Sequence, residues 1–363
     1  MQGGAHIGPH IGPHFGHGGM SEALDRPDLL LDTRGMHRAL GEHVVGVGFV
    51  GARAAFALGD GTVWLGGEAR FGGEAWTATP VHKGAALCLA VDGAGVVTGG
   101  DDGRVCRVTE AGVTELASLG RGWINAVAAN GNVVAVAHGK QVHVLSGGAT
   151  LKVLSHPSTV TGVAFDARGK RIAASHYNGA SLWFVAARID TPRLLEWKGS
   201  HIGVAVHPAA DAVVTSMQEN SLHGWRLANG QHMRMSGYPA KTAAMGFTKS
   251  GKWLATSGAE AVVLWPFSGA GPMGKAPTEL AGGDAMQCTF VACHPRDETV
   301  AAGFADGLLV LADIASGRVL PVCGPGSGRG SVSAIAWSAD GSALAWGTED
   351  GFAAQVDLSR SAK

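Results

Sequence analysis

The hydrophobic and polar positions of this chain follow a unit that recurs from about residue 28 almost to the last residues. In its clearest copy, an alternating apolar stretch at 160–165 leads through a polar turn at 166–170 to a second stretch at 171–175. The dipeptide Asn178-Gly179 then precedes a third stretch at 181–183. Alternation with a period of two predicts β-strands, and Asn-Gly is typical of tight antiparallel hairpins. The unit is therefore predicted to be an antiparallel meander.

The spacing of this unit indicates the architecture. The position that ends the third apolar stretch recurs every 37 to 47 residues, about 41 on average. In the eight copies it is occupied by Gly66, Val108, Leu145, Trp183, Trp225, Trp265, Ala312 and Val356. A four-stranded repeat of roughly 40–45 residues is typical of a β-propeller blade. We predict an all-β, closed β-propeller of eight four-stranded blades, with seven blades as the alternative.

The two ends of the repeat region suggest how the ring closes. The last third strand ends near Leu358, whereas an apolar run at 29–32 precedes the first copy. Because an open sheet edge invites aggregation, we predict that residues 29–32 form the missing fourth strand of the last blade. Residues 28–363 are then a single propeller domain. Residues 1–27 are predicted to be a disordered tail rich in His and Gly.

Composition narrows the classes of partner and compartment. Among 363 residues there are 57 Gly and 46% apolar residues, which suits short strands joined by tight turns. The formal net charge of −1 gives no general attraction to nucleic acid or to anionic membranes, and no apolar run is long enough to span a bilayer. Five Cys and the absence of a signal-peptide pattern favour a reducing compartment. We expect a cytoplasmic, monomeric protein.

The repeats resemble those of the WD-repeat family. In that family a blade carries His near its start, Asp in the second turn, and Trp-Asp at the end of the third strand. His43 and His156 occupy the His position here, and no blade has the complete set. The other matching residues are Asp60, Asp102, Asp306 and Asp350 in turns, Trp225 and Trp265, and Asp313 and Asp357. The resemblance implies a hydrogen-bonded network of these residue types within a blade, incomplete in this chain.

The resemblance also implies a face that binds partners, lined by residues at the start of first strands and near the second turns. Aromatic and Arg side chains are common anchors of such interfaces. The positions carried over are Trp123, Tyr177, Glu219, Tyr238, Arg329 and Glu349. We therefore expect a non-catalytic scaffold that binds a protein or peptide of unknown identity and needs no cofactor.

Two alternatives remain open at the level of sequence. The tail carries His6, His10, His14 and His17, and imidazoles are ligands for Zn²⁺ or Ni²⁺, so a metal-handling role is one of them. The other is a propeller enzyme with a metal or cofactor in its channel. Neither a Gly-x-Ser-x-Gly nor a His-Glu-x-x-His pattern occurs in the chain, so no nucleophile or zinc motif supports it.

Overall fold

The computed structural model describes residues 5–6, 29–67, 76–282, 285–326 and 329–359. Apart from one five-residue helix, the regular structure of these residues is β. The helix is α1 (Leu30–Arg34). The first sixteen strands are β1 (Ala5–His6), β2 (Gly35–Ala39), β3 (Val44–Val50), β4 (Arg53–Leu58), β5 (Thr62–Leu65), β6 (Thr77–Pro80), β7 (Ala86–Val91), β8 (Val96–Gly100), β9 (Arg104–Thr109), β10 (Gly112–Ser118), β11 (Ile124–Asn130), β12 (Val133–His138), β13 (Gln141–Ser146), β14 (Ala149–Ser155), β15 (Val160–Phe165) and β16 (Arg171–Phe184).

The later strands continue the same pattern of consecutive antiparallel pairs. They are β17 (Arg193–Val206), β18 (Ala212–Met217), β19 (Ser221–Arg226), β20 (His232–Ser236), β21 (Met245–Phe247), β22 (Trp253–Thr256), β23 (Val262–Pro266), β24 (Thr278–Leu280), β25 (Cys288–Cys293), β26 (Thr299–Phe304), β27 (Leu309–Asp313), β28 (Val319–Cys323), β29 (Val332–Trp337), β30 (Ala343–Thr348) and β31 (Phe352–Asp357). The predicted all-β meander and its repeat are confirmed.

The prediction of eight four-stranded blades is wrong, and the alternative of seven agrees with the structure, because the described strands form seven hydrogen-bonded sheets. Six of them are four-stranded: β3–β6, β7–β10, β11–β14, β21–β24, β25–β28, and β29–β31 with β2. The other has seven strands, in the order β15 to β20 followed by β1. This sheet contains the strands of two successive repeats, 160–197 and 200–236.

Continuous pairing at one blade connection explains the merged sheet. Strands β16 and β17 each run for 14 residues, through points where the other repeats have a turn or a connecting loop. Tyr177 pairs with Ser200 across the connection, and the Asn178 side chain accepts a hydrogen bond from the Gly199 N–H (3.3 Å). At the outer edge, β1 lies parallel to β20, with Ala5 opposite Met235.

The ring is closed by an N-terminal strand, as predicted, but this strand is not formed by residues 29–32. Strand β2 pairs antiparallel with β31, so Gly35–Ala39 supplies the fourth strand of the last repeat. The prediction of a strand at 29–32 is wrong, because these residues enter α1. The Asp32 and Thr33 N–H groups donate to Leu29 O, and Leu31 is buried between the β25–β28 sheet and the β29–β31 sheet. The rest of the predicted tail, apart from Ala5–His6, lies outside the described residues.

The first strand of each repeat lies on the inside of the ring. In the order β3, β7, β11, β15, β17, β21, β25 and β29, each contacts the next, and β29 contacts β3 again. The side chains between neighbouring sheets form the apolar core, in which Trp225, Trp265 and Trp346 are almost completely buried. Burial of this area, at about 25 cal/mol per Å², provides the main stabilisation of the ring. Among the described residues, no helix is long and apolar enough to cross a membrane.

Most first strands have a β-bulge near their start, and at four of these bulges a side chain links one repeat to the next. In β11, β15, β25 and β29 the skipped residue is polar, and its side chain donates to a carbonyl of the next first strand. The pairs are Asn125 to Val160 O (3.1 Å), Thr161 to His201 O (2.5 Å), Thr289 to Val332 O (2.7 Å) and Ser333 to Val44 O (2.6 Å). The last pair spans the junction at which the ring closes.

We expect Ser333→Ala to lower the free energy of unfolding by about 1 kcal/mol, because it removes a partly buried hydrogen bond between sheets. Ser333→Thr keeps the hydroxyl, so it should recover most of that loss. Urea denaturation followed by tryptophan fluorescence measures both variants. Equal stability of the alanine and threonine variants would show that the bulge hydroxyl contributes nothing to closure.

Candidate functional site

Two sets of loops lie together at one edge of the ring: the turns between second and third strands, and the connections from a fourth strand to the next first strand. Hydrogen bonds join them. The Val81 and His82 N–H groups donate to Gly61 O (3.1 and 3.0 Å), and the Leu119 N–H donates to Gly103 O (2.9 Å). We call this edge the upper face. All six partner-binding residues proposed from the sequence belong to its loops or border them.

Trp123 and Tyr177 are the most exposed of the large aromatic side chains in the upper-face loops that the structure describes. Trp123 is 66% exposed and directly precedes Ile124, the first residue of β11. Tyr177 is 54% exposed, and its N–H donates to Ser158 Oγ (2.9 Å) in the adjacent connection. Because β11 and β15 are neighbouring first strands, the two residues belong to consecutive repeats on one face.

The two carboxylates of the predicted set, Glu219 and Glu349, are exposed on the same face. The carboxylate of Glu219 accepts the Ser200 N–H (2.9 Å to Oε1), which fixes the connection after Trp197 and Lys198. The Glu349 N–H donates to Ser331 O (2.9 Å), so its turn is held against the preceding connection. Both positions remain predictions for partner contact.

Tyr238 is buried rather than exposed at the surface, since its side chain is only 6% exposed. Its hydroxyl accepts from Trp265 Nε1 (2.6 Å) and donates to Thr256 Oγ1 (2.6 Å), which in turn donates to Val263 O. Burial raises the pKa of the phenol, so Tyr238 stays neutral as an internal hydrogen-bond bridge. The expectation of an exposed contact residue is wrong at this position.

Arg329 is half-buried and already engaged within the ring. Its Nη1 donates to Gly324 O (2.6 Å), and its guanidinium carbon lies 5.4 Å from the centre of the Phe352 ring. These contacts tie the connection before β29 to the closing sheet. Arg329 therefore has a structural role in this connection.

A buried polar network that sequence reasoning missed lies just beneath the upper face. His82 Nε2 lies 2.9 Å from Thr98 Oγ1, and its Nδ1 lies 3.1 Å from Asp102 Oδ1. Burial lowers the pKa of His82, and the hydrogen bond that its ring makes to the Asp102 carboxylate offsets this only in part. The sequence places His82 20 residues before Asp102, one of the turn aspartates of the WD-type pattern, and this spacing could have identified the pair. The sequence interpretation instead assigned the His position of that pattern to His43, which is exposed.

A second network confirms the placement of His156. Trp183 Nε1 donates to His156 Nε2 (3.0 Å), while His156 Nδ1 lies 3.0 Å from Leu154 O. Because a carbonyl can only accept, the proton of the neutral ring lies on Nδ1. Tyr238 with Trp265 repeats this arrangement in a later sheet, with a phenol in place of the imidazole. These networks stabilise the sheets that carry the upper-face loops.

The five cysteines are free thiols inside the ring. Burial raises the pKa of Cys88, Cys288 and Cys293 to about 12, and that of Cys106 and Cys323 to about 11. Since the thiolate is the nucleophile and the metal ligand, these thiols are unreactive at neutral pH. They fill space as small apolar groups.

The metal candidates of the tail are only marginally described. His10, His14 and His17 lie outside the described residues, and for His6 the structure gives the backbone alone, in β1. Within the described ranges, no group of three or more His, Cys, Asp or Glu side chains is arranged to hold a metal ion.

Comparison with known proteins supports the fold of the chain but identifies no family. No sequence family model matches the chain, and no curated protein matches it. The computationally designed Ika8 protein is similar in structure, with a TM-score of 0.71 and 19% identity over 88% of this chain and 98% of that one. The WD40 β-propeller domain of Doa1 is also similar, with a TM-score of 0.59 and 12% identity over 89% and 95%. The chain is therefore a β-propeller similar in fold to a WD40 domain.

Proposed function

We propose that this chain is a non-catalytic, WD-repeat-type scaffold that binds a protein or peptide on its upper face. The observation that carries the proposal is the pair of exposed aromatic side chains, Trp123 and Tyr177, on consecutive repeats of a rigid ring. Large aromatic groups on a fixed surface contribute most to protein interfaces, because they bury much area at little cost in conformational entropy.

The distribution of charge on the upper face supports a protein partner. The exposed cations Arg121, Lys140 and Lys198 lie in the loops around the aromatic pair. Across the ring, the exposed residues Glu42, Asp60, Glu349 and Asp350 add acidic groups to the other side. A face with separated charges orients a partner during approach, and a net charge near zero gives no general attraction to polyanions.

The test is affinity capture from the source cells with three immobilised full-length proteins: the natural chain, the double variant Trp123→Ala with Tyr177→Ala, and Leu320→Ala. Leu320 is 50% exposed on β28, away from the upper face, so it controls for loss of apolar surface. We expect the double variant to recover its specific partner at least about thirtyfold less well, which corresponds to a hot-spot loss of about 2 kcal/mol.

Because the two aromatic side chains are exposed, their removal should cost little stability. Thermal unfolding checks that all three proteins are equally folded. Unchanged recovery of every captured protein by the double variant would remove the upper face as the binding surface.

A further inference from the structure

A cleft lies at the opposite edge of the ring, far along the strands from the upper face. It has a volume of about 270 Å³ and lies between the turn 166–171, Phe184 and residues 208–210. A shallower depression on the other side of Phe184 continues it over residues 184–187. The turn joins a first strand to a second, and the depression follows a third strand, so both lie where upper-face loops do not. We call this surface the lower cleft.

An exposed aromatic side chain borders the lower cleft. Phe184 is 54% exposed and forms a wall shared by the cleft and the depression. An exposed aromatic side chain beside a concavity is typical of sites that bind another molecule.

The charged residues that line the lower cleft are mainly cationic. Arg168 and Lys170 are exposed, and Arg171 is held in place by its hydrogen bond to Ala210 O (2.8 Å) and by the Phe184 ring, 5.3 Å from its guanidinium carbon. In the described part of the chain, no carboxylate forms an ion pair with any of the three.

The one carboxylate in the lining offsets only part of this positive charge. Asp166 is only 4% exposed, and its Oδ1 accepts the backbone N–H groups of Lys170 (2.7 Å) and Arg171 (3.1 Å). This hydrogen bonding shapes the turn and consumes the acceptor capacity of that oxygen. The lower cleft therefore presents positive charge beside an exposed aromatic ring.

We infer that the lower cleft binds an acidic peptide segment that carries a bulky apolar side chain. Carboxylates of the peptide pair with Arg168 and Lys170, and the apolar side chain packs on Phe184 above the cleft. Charge-assisted hydrogen bonds from Arg and Lys give orientation, and burial of the aromatic surface gives affinity. This second docking surface does not depend on the upper face or on the function proposed for it.

The experiment uses the full-length chain and three fluorescein-labelled peptides, with anisotropy as the readout. The first peptide is Gly-Asp-Glu-Phe-Asp-Glu-Gly; the second has Ser in place of Phe; the third has Asn and Gln in place of Asp and Glu. We expect binding of the first peptide, weakened at least about tenfold by either replacement, and a Kd that rises with salt.

Variants locate the site. Phe184→Ala, and the double variant Arg168→Ser with Lys170→Ser, should each raise the Kd at least about tenfold. The matched control is Arg121→Ser with Lys140→Ser, which removes two exposed cations from the upper face and should change the Kd less than about twofold. Equal thermal unfolding of all variants shows that the effect is local.

Four results would overturn the inference. They are no binding of the first peptide at about 1 mM protein, equal binding of the Ser-containing peptide, equal loss in the upper-face control, and unchanged binding by the Phe184 and Arg168/Lys170 variants. Two further arms separate other occupants. If only vesicles of anionic lipid bind the chain and Phe184→Ala abolishes that, the surface is a membrane site. If Phe184→Ala abolishes self-association in sedimentation, the occupant is a second copy.

Discussion

Replacing Gly347 by alanine should lower the free energy of unfolding by about 3 kcal/mol, the upper part of the range for overpacking in a core. A Cβ at this position would lie 2.3 Å from Val44 Cγ1 and 2.4 Å from Val44 Cβ. Neither backbone can move away easily, because Gly347 pairs with strands on both sides and Val44 pairs with Leu58. The junction is also the one that closes the ring, so a local shift must propagate around it.

The matched control is Gly246→Ala, the same substitution in a strand where the added Cβ would meet only Cys293 Sγ at 3.7 Å. It should change stability by less than about 1 kcal/mol. Two glycines at equivalent junctions extend the test, since a Cβ at Gly99 or Gly303 would meet Ile124 or Val332 at 2.3–2.4 Å. Urea denaturation measures all four variants. A loss at Gly347 no greater than that at Gly246 would show that close approach between sheets is not what requires glycine.

These junctions also show why the repeat was predictable whereas the sheet count was not. The strand period follows from alternating apolar positions and from turn residues such as Gly61, Gly103 and Gly351, whose positive φ angles are difficult for other residues. Whether two repeats share a sheet depends on backbone pairing at one connection. The Tyr177–Ser200 pair that merges them has no signature in the local pattern.

The closing strand illustrates a second limit. The run Leu29-Leu30-Leu31 is too short for its periodicity to distinguish a strand from a helix. The choice is made by tertiary structure: Leu31 fills a core position between two sheets, and Gly35–Ala39 then meets the free edge of β31. Sequence reasoning identified the need for an N-terminal strand and misplaced it by a few residues.

For the candidate site, the position of a residue along the repeat predicted that it belongs to the upper face, but not whether its side chain is exposed. Trp123 precedes the start of β11, Tyr177 lies within the long strand β16, and both side chains project outward, as expected. Tyr238 occupies a loop of the same kind, yet its ring is drawn inward because Trp265 and Thr256 offer its hydroxyl two partners. The lower cleft could not be predicted, since Arg168, Phe184 and Ala210 come together only through the packing of two successive repeats.

Acidification from pH 6.5 to 5 should destabilise the chain by on the order of 3 kcal/mol from two buried imidazoles alone. Burial lowers the pKa of His156 to about 4 and that of His223 to about 3, while in the unfolded chain a histidine titrates near 6.5. Below pH 6.5 the unfolded state therefore binds more protons than the folded state, and stability falls as the pH falls. The loss continues to about pH 4 for His156 and to about pH 3 for His223.

The geometry explains why neither ring accepts a proton in the folded chain. His156 Nε2 already accepts from Trp183 Nε1, and His223 is fully buried, stacked on Trp197 with ring centres 3.9 Å apart and in contact with His232 (2.8 Å). Protonation would place a charge in the core with no carboxylate acting on it.

The measurement is urea denaturation at intervals between pH 7.5 and 5 for the natural chain, His156→Gln and His43→Gln. Glutamine at 156 can still accept from Trp183 and donate to Leu154 O, but it does not titrate, so about half of the roughly 3 kcal/mol assigned to the two imidazoles should disappear. His43 is exposed, and its replacement should leave the slope unchanged. If His156→Gln has the same dependence on pH as the natural chain, burial of a neutral imidazole at this position is not the source of acid sensitivity.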